Sequence, residues 1–169
     1  MFAGHDSTSS TICYIYHLLS KNPEALCKLR EEHDRIFGEE VDSANKILTT
    51  QPHLANGLPY TTAVIKEALR LFPPASSSRQ GYPGVVVYDD NGTACPTDKA
   101  VCFIDHVGMH RASKYWVRAE EFLPERWLVE PGHELYPVKG AWVRPILVFH
   151  SSSQPSQEDL VIPSLTIGA

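Results

Sequence analysis

The sequence predicts a mainly α chain with a small antiparallel β region, and three observations carry that expectation. Residues up to Leu71 hold apolar side chains at helical spacing, Pro73-Pro74 ends that texture, and short β-prone runs then flank the turn dipeptide Asn91-Gly92. Ser9 to Leu19 is apolar on more than one side (Ile12, Tyr14, Ile15, Leu18, Leu19), which predicts a buried helix ending near Lys21-Asn22. Pro23 suits the first turn of a second helix with Asn22 as its N-cap, and Leu26, Leu29, Ile36 and Phe37 carry it to Gly38. A short helix over Asp42 to Leu48 and a loop through Pro52, Asn56, Gly57 and Pro59 lead to a helix over Tyr60 to Leu71. Pro73-Pro74 stops that helix, because proline lacks the amide donor and restricts the residue before it. Val85 to Tyr88 and Ala100 to Ile104 are expected to pair about Asn91-Gly92 as the strands of a hairpin. Ala119 to Trp127 reads as an irregular acidic and aromatic segment. From Val143 onward, Ser151-Ser152-Ser153, three prolines and scattered aliphatics show no period, which predicts a disordered or badly packed tail. The chain therefore divides into 1–142, a partial domain, and 143–169, a divergent tail.

A chain of 169 residues with 43% apolar content can build one core. Its net charge of -5 offers no basic surface for nucleic acid or an anionic membrane. Cys13, Cys27, Cys95 and Cys102 show no CxxC spacing, so reduced thiols are expected rather than a disulfide framework. No stretch approaches the length of a membrane span. Met1 runs directly into Phe2-Ala3-Gly4 with no charged lead-in or apolar run, and is expected to be an interior position. His106 and His110 stand four apart, but they fall on a segment read as strand running into loop, without a cysteine or carboxylate at ligand spacing, so no metal site is expected.

Three short motifs stand out, each weak alone. Ala3-Gly4-His5-Asp6-Ser7-Thr8 puts a small pair, an acid and two hydroxyls in one stretch of helix, which is often only packing and a cap. Glu67 and Arg70, three apart in Glu67-Ala68-Leu69-Arg70, describe a solvated surface pair as readily as anything else. Pro124-Glu125-Arg126-Trp127 is compatible with a plain turn. In this order, with helices and β runs between them, they closely resemble the cytochrome P-450 family over about residues 1 to 142. The first matches the family's AGxDT-type turn, the second its ExxR helix and the third its PERF-type segment. Lys66 to Pro74 is an especially specific fit, and His110-Arg111, Trp116 and Glu121-Phe122-Leu123-Pro124 resemble the run-in to the third motif.

The resemblance implies a haem monooxygenase that inserts one oxygen atom from O2 into a small, apolar organic substrate, with electrons delivered from NADPH by a reductase partner. It implies that Ala3 and Gly4 leave room for haem and dioxygen, and that Asp6 with Ser7 or Thr8 relays protons. Serine stands at 7 where the family usually has threonine, keeping the hydroxyl without the β-branch. Arg79 resembles the residue that pairs with a haem propionate, a solvated loop arginine being the alternative. Glu67, Arg70 and Arg126 resemble a buried structural charge triad. A complete eukaryotic member is expected at the endoplasmic reticulum membrane, and this chain, without an anchor, in the cytoplasm.

The family's axial cysteine sits in a loop shortly after the PERF-type segment, and its thiolate favours O–O cleavage. Here Lys139-Gly140-Ala141-Trp142 is on course, and Val143-Arg144-Pro145-Ile146-Leu147 departs with no cysteine after Trp127. A truncated, inactive fragment that does not bind haem in thiolate form is expected. Two origins remain open: a catalytic member seen through a partial gene, with the tail as translated intron, or a non-catalytic fragment or pseudogene product. A helical interaction module is a weaker alternative.

Overall fold

A computed structural model describes residues 2–88 and 91–137, and the tail expected from Val143 lies outside them. Among these residues the chain is mainly helical, with two small antiparallel sheets. Helix α1 covers Phe2–Lys21, α2 Pro23–Phe37, α3 Val41–Thr50 and α4 Pro59–Leu71, and a 3-10 helix over Pro52–Gly57 takes the place of the expected loop. Pro23 and Pro59 open their helices where an amide would lack a partner anyway. Gly38 closes α2 at φ 79°, a conformation that suits a residue without a β-carbon, and its amide donates to the carbonyl of Asp34 at 2.8 Å. Asn22 stands at the N-cap position of α2 but does not cap it. Its side-chain amide donates back to the carbonyl of Leu18 at 2.7 Å.

One core joins three helices. Tyr60, Ala63, Val64, Glu67, Ala68, Arg70 and Leu71 recur on one face of α4 at helical spacing and are all buried. Leu18 and Leu19 of α1, Ala25 of α2 and Phe122 pack against the apolar members of that face, and Tyr14 stacks on Phe72 with ring centroids 4.3 Å apart. The earlier part of α1 is not buried as its composition suggests: Ile12, Tyr14 and Tyr16 are exposed.

The β pairing differs from the expected hairpin. Strand β2 (Val86–Tyr88) pairs with β3 (Ala94–Pro96), close about the turn. Strand β4 (Val101–Ile104) instead pairs with β1 (Ser77–Gln80), a strand whose serines, arginine and glutamine gave no β signal. Between them a β-carbon at Gly81 would overlap the backbone of Thr97, so the crossing of the two sheets needs glycine there. Beyond β4, His106–Arg111 forms a fifth helix, α5, with the Asp105 carboxylate accepting the Gly108 amide at 2.9 Å. His106 and His110 thus share a helix rather than a strand. Residues 112–137 form turns around a 3-10 helix over Pro124–Trp127. No helix among the described residues is long and apolar enough to cross a membrane.

Candidate functional site

The densest polar arrangement lies where α4 meets the stretch from α5 to Trp127. Glu67, Arg70 and Arg126 are 0%, 1% and 1% exposed. One turn of α4 aligns Glu67 with Arg70, which donates through Nε to Oε2 at 3.0 Å and through Nη2 to Oε1 at 2.9 Å. The 3-10 turn that Pro124 opens points Arg126 inward, so its Nε donates to the same Oε1 at 3.0 Å. The carboxylate also accepts the Leu123 amide at 3.1 Å and the Trp127 indole N–H at 2.9 Å. Five donors around one carboxylate satisfy its oxygens, which makes the burial of a charge tolerable.

The guanidinium groups use their other N–H groups on backbone. Arg70 Nη1 donates to the carbonyls of His110 and Ala119, both at 2.6 Å, and Nη2 to that of Glu121 at 3.1 Å. Arg126 Nη1 and Nη2 donate to the carbonyls of Val117 and Arg118 at 3.0 and 3.2 Å. Burial works to lower the pKa of Arg126, Glu67 opposes it, and the net direction is down. Trp116, 1% exposed, lies under both cations, with Arg70 5.2 Å and Arg126 5.9 Å from its ring centroid. Sequence alone assigns no role to the Trp127 indole, the Leu123 amide or the five carbonyls, and marks Trp116 only as part of the run-in to the third motif. An aromatic beside an arginine motif is a usable signal for the indoles, whereas a carbonyl is present in every residue and leaves none.

A second buried carboxylate was also missed. Glu32 of α2 accepts the amides of Tyr60 and Thr61 at 2.7 and 2.8 Å and the Thr61 hydroxyl at 2.7 Å, so it caps α4 from a neighbouring helix. Burial pushes its pKa up, but the Thr61 hydroxyl and the two amides outweigh it and hold the group below the usual carboxylate range. Lys28 bonds to Glu125 at 2.6 Å, which also accepts the Tyr60 hydroxyl at 3.2 Å and ties α2 to the second 3-10 helix.

The other residues singled out from sequence lie apart from this cluster. Ala3, Gly4, Asp6, Ser7 and Thr8 fall in the opening turns of α1. Gly4, Asp6 and Thr8 are exposed, Ser7 is half-buried, and a β-carbon at Gly4 would meet nothing within 4 Å. Arg79 is exposed on β1 and donates from Nη1 to the carbonyl of Ser78 at 3.1 Å. Cys13 and Cys27 are exposed on α1 and α2, and Cys95 is half-buried on β3.

A profile of the cytochrome P-450 family matches residues 1–139. The chain is 44% identical over 140 residues to cytochrome P-450 monooxygenase polC of Polytolypa hystricis, covering 83% of this chain and 25% of that protein. It is 39% identical over 129 residues to cytochrome P-450 monooxygenase acrF of Aspergillus aculeatus, covering 76% and 26%. It is 35% identical over 127 residues to taurochenodeoxycholic 6 alpha-hydroxylase of Sus scrofa, covering 75% and 23%. The matched stretch is thus about a quarter of the length of each relative. A family match over most of the chain, together with relatives at this identity, leads to one conclusion: the chain belongs to the cytochrome P-450 family.

Proposed function

We propose that this sequence is part of a haem-dependent monooxygenase that inserts one oxygen atom from O2 into a small, apolar organic molecule, using electrons from an NADPH-dependent reductase. The 169-residue chain itself, in this reading, provides the scaffold clamp and does not activate oxygen. In the complete enzyme we assign Ala3, Gly4 and Arg79 to haem contact, Asp6, Ser7 and Thr8 to proton delivery, and Glu67, Arg70 and Arg126 to holding the cofactor-side scaffold. The open volume at Gly4 and the exposed guanidinium of Arg79 suit a flat cofactor with carboxylates.

The donor set does not suit a haem-thiolate centre, and that observation carries the reading of inactivity. Cys13, Cys27, Cys95 and Cys102 all precede Pro124-Glu125-Arg126-Trp127, and no cysteine follows it in the sequence. A thiolate is the ligand that pushes electron density toward oxygen. The test is a reduced, carbon-monoxide difference spectrum of the purified chain supplied with haemin. Absence of the thiolate-type Soret band is expected; a clear band means that one of the four cysteines ligates iron and overturns the proposal of inactivity.

A further inference from the structure

The side chain of His110 has no part in the function proposed above, yet the residue is 3% exposed and sits where α4, α5 and the following turns meet. Its carbonyl accepts Arg70 Nη1 at 2.6 Å, and its ring stands edge-on to Trp116 with centroids 6.4 Å apart. Its Nδ1 is buried and has no hydrogen-bond partner. Among the described residues, the charged and titratable groups around it come from three elements. Arg70 approaches from α4 with Glu67 bonded to it, Arg126 from the 3-10 helix shares the Trp116 ring, and His106 of α5 lies 5.9 Å away, centroid to centroid. Two guanidinium groups bound to one carboxylate leave this cluster with a net positive charge.

A proton on His110 would turn Nδ1 into a donor with no acceptor and add positive charge beside an already positive cluster. Burial chiefly, with the charge of His106 adding to it, outweighs a backbone hydrogen bond at Arg70 that favours the proton, and holds the group down at about 4.

We propose that His110 is a proton-operated latch. Neutral, it stays against Trp116 and keeps its carbonyl on Arg70; protonated, it leaves that place, and residues 105–128 loosen from α4 while α1 and α2 stay packed. The folded state binds fewer protons than the opened one, so the latch is fully closed above about pH 6.5 and weakens as pH falls. The open population rises by up to about tenfold per pH unit below that value.

Amide hydrogen exchange of the full chain between pH 7 and pH 5, corrected for the intrinsic chemical rate, tests this. Exchange in residues 106–128 is expected to accelerate toward the tenfold-per-unit limit. Exchange in α2 is expected to hold steady, because Glu32 stays ionised throughout that window. His110→Gln, which takes up no proton, should flatten the dependence, and its full retention in that variant overturns the latch. Equal acceleration in α2 also overturns it. Should the variant fail to fold, imidazole NMR of the unaltered chain decides: a His110 ring still neutral at pH 5 in the closed form supports the latch, and an ordinary titration near 6.5 without faster exchange refutes it.

Discussion

Two regions assigned to the same parent activity are built in opposite ways. Around Glu67, the carboxylate and both guanidinium groups are withdrawn from solvent, and each reaches several partners from distant parts of the chain. At the start of α1, Gly4, Asp6 and Thr8 face outward, and the helix is anchored on α4 through its far end, at Leu18 and Leu19. The first region needs nothing beyond this chain to complete its bonding. The second presents chemistry on an open face. Stability is therefore expected to concentrate around Glu67, and tolerance of substitution at the start of α1.

The sharpest way to break that contrast is Glu67→Gln, which leaves two buried guanidinium groups without their counter-charge. A loss of about 3–5 kcal/mol is expected in urea unfolding followed by circular dichroism, and a loss below about 1 kcal/mol would place the clamp's strength in its backbone carbonyls instead. Glu32→Gln comes next. It keeps the shape but weakens three bonds to a charged acceptor, so about 1.5–3 kcal/mol is expected to go at neutral pH. Because the folded-state pKa of Glu32 is lowered, its contribution is present above the usual carboxylate value and fades as pH falls below it. The gap between variant and unaltered chain should therefore narrow in acid. The smallest effect belongs to Asp6→Asn, whose unfolding midpoint should be unchanged within error; a clear shift would show that the start of α1 is better packed than its exposure indicates.

Much of the helical layout is legible in residue order, because proline and glycine mark ends through local sterics. Pro23, Gly38, Pro59 and the Pro73-Pro74 pair stand within a residue or two of observed boundaries. The strands are less legible. Ser77 to Gln80 becomes a strand through its pairing with Val101 to Ile104, a non-local cause that propensity does not express. His106 and His110 follow a strand in sequence, and the Asp105 cap that turns the chain into a helix is a signal that was there to be read. At the site, the three-residue spacing of Glu67 and Arg70 is plain, but burial is not, since a solvated pair has the same spacing. Grouping Arg126 with them came from family resemblance, and the capping role of Glu32 emerges only in three dimensions.

The contacts made by Arg70 and Arg126 carry one more consequence. His110, Val117, Arg118, Ala119 and Glu121 present their carbonyls to the two cations. An amide oxygen is common to all twenty residue types, proline included. The clamp thus holds a path rather than a wording: the exposed side chains of Val117 and Glu121 can be rewritten broadly provided the backbone still follows its course, whereas Arg118, at φ 51°, favours residues that tolerate a left-handed backbone.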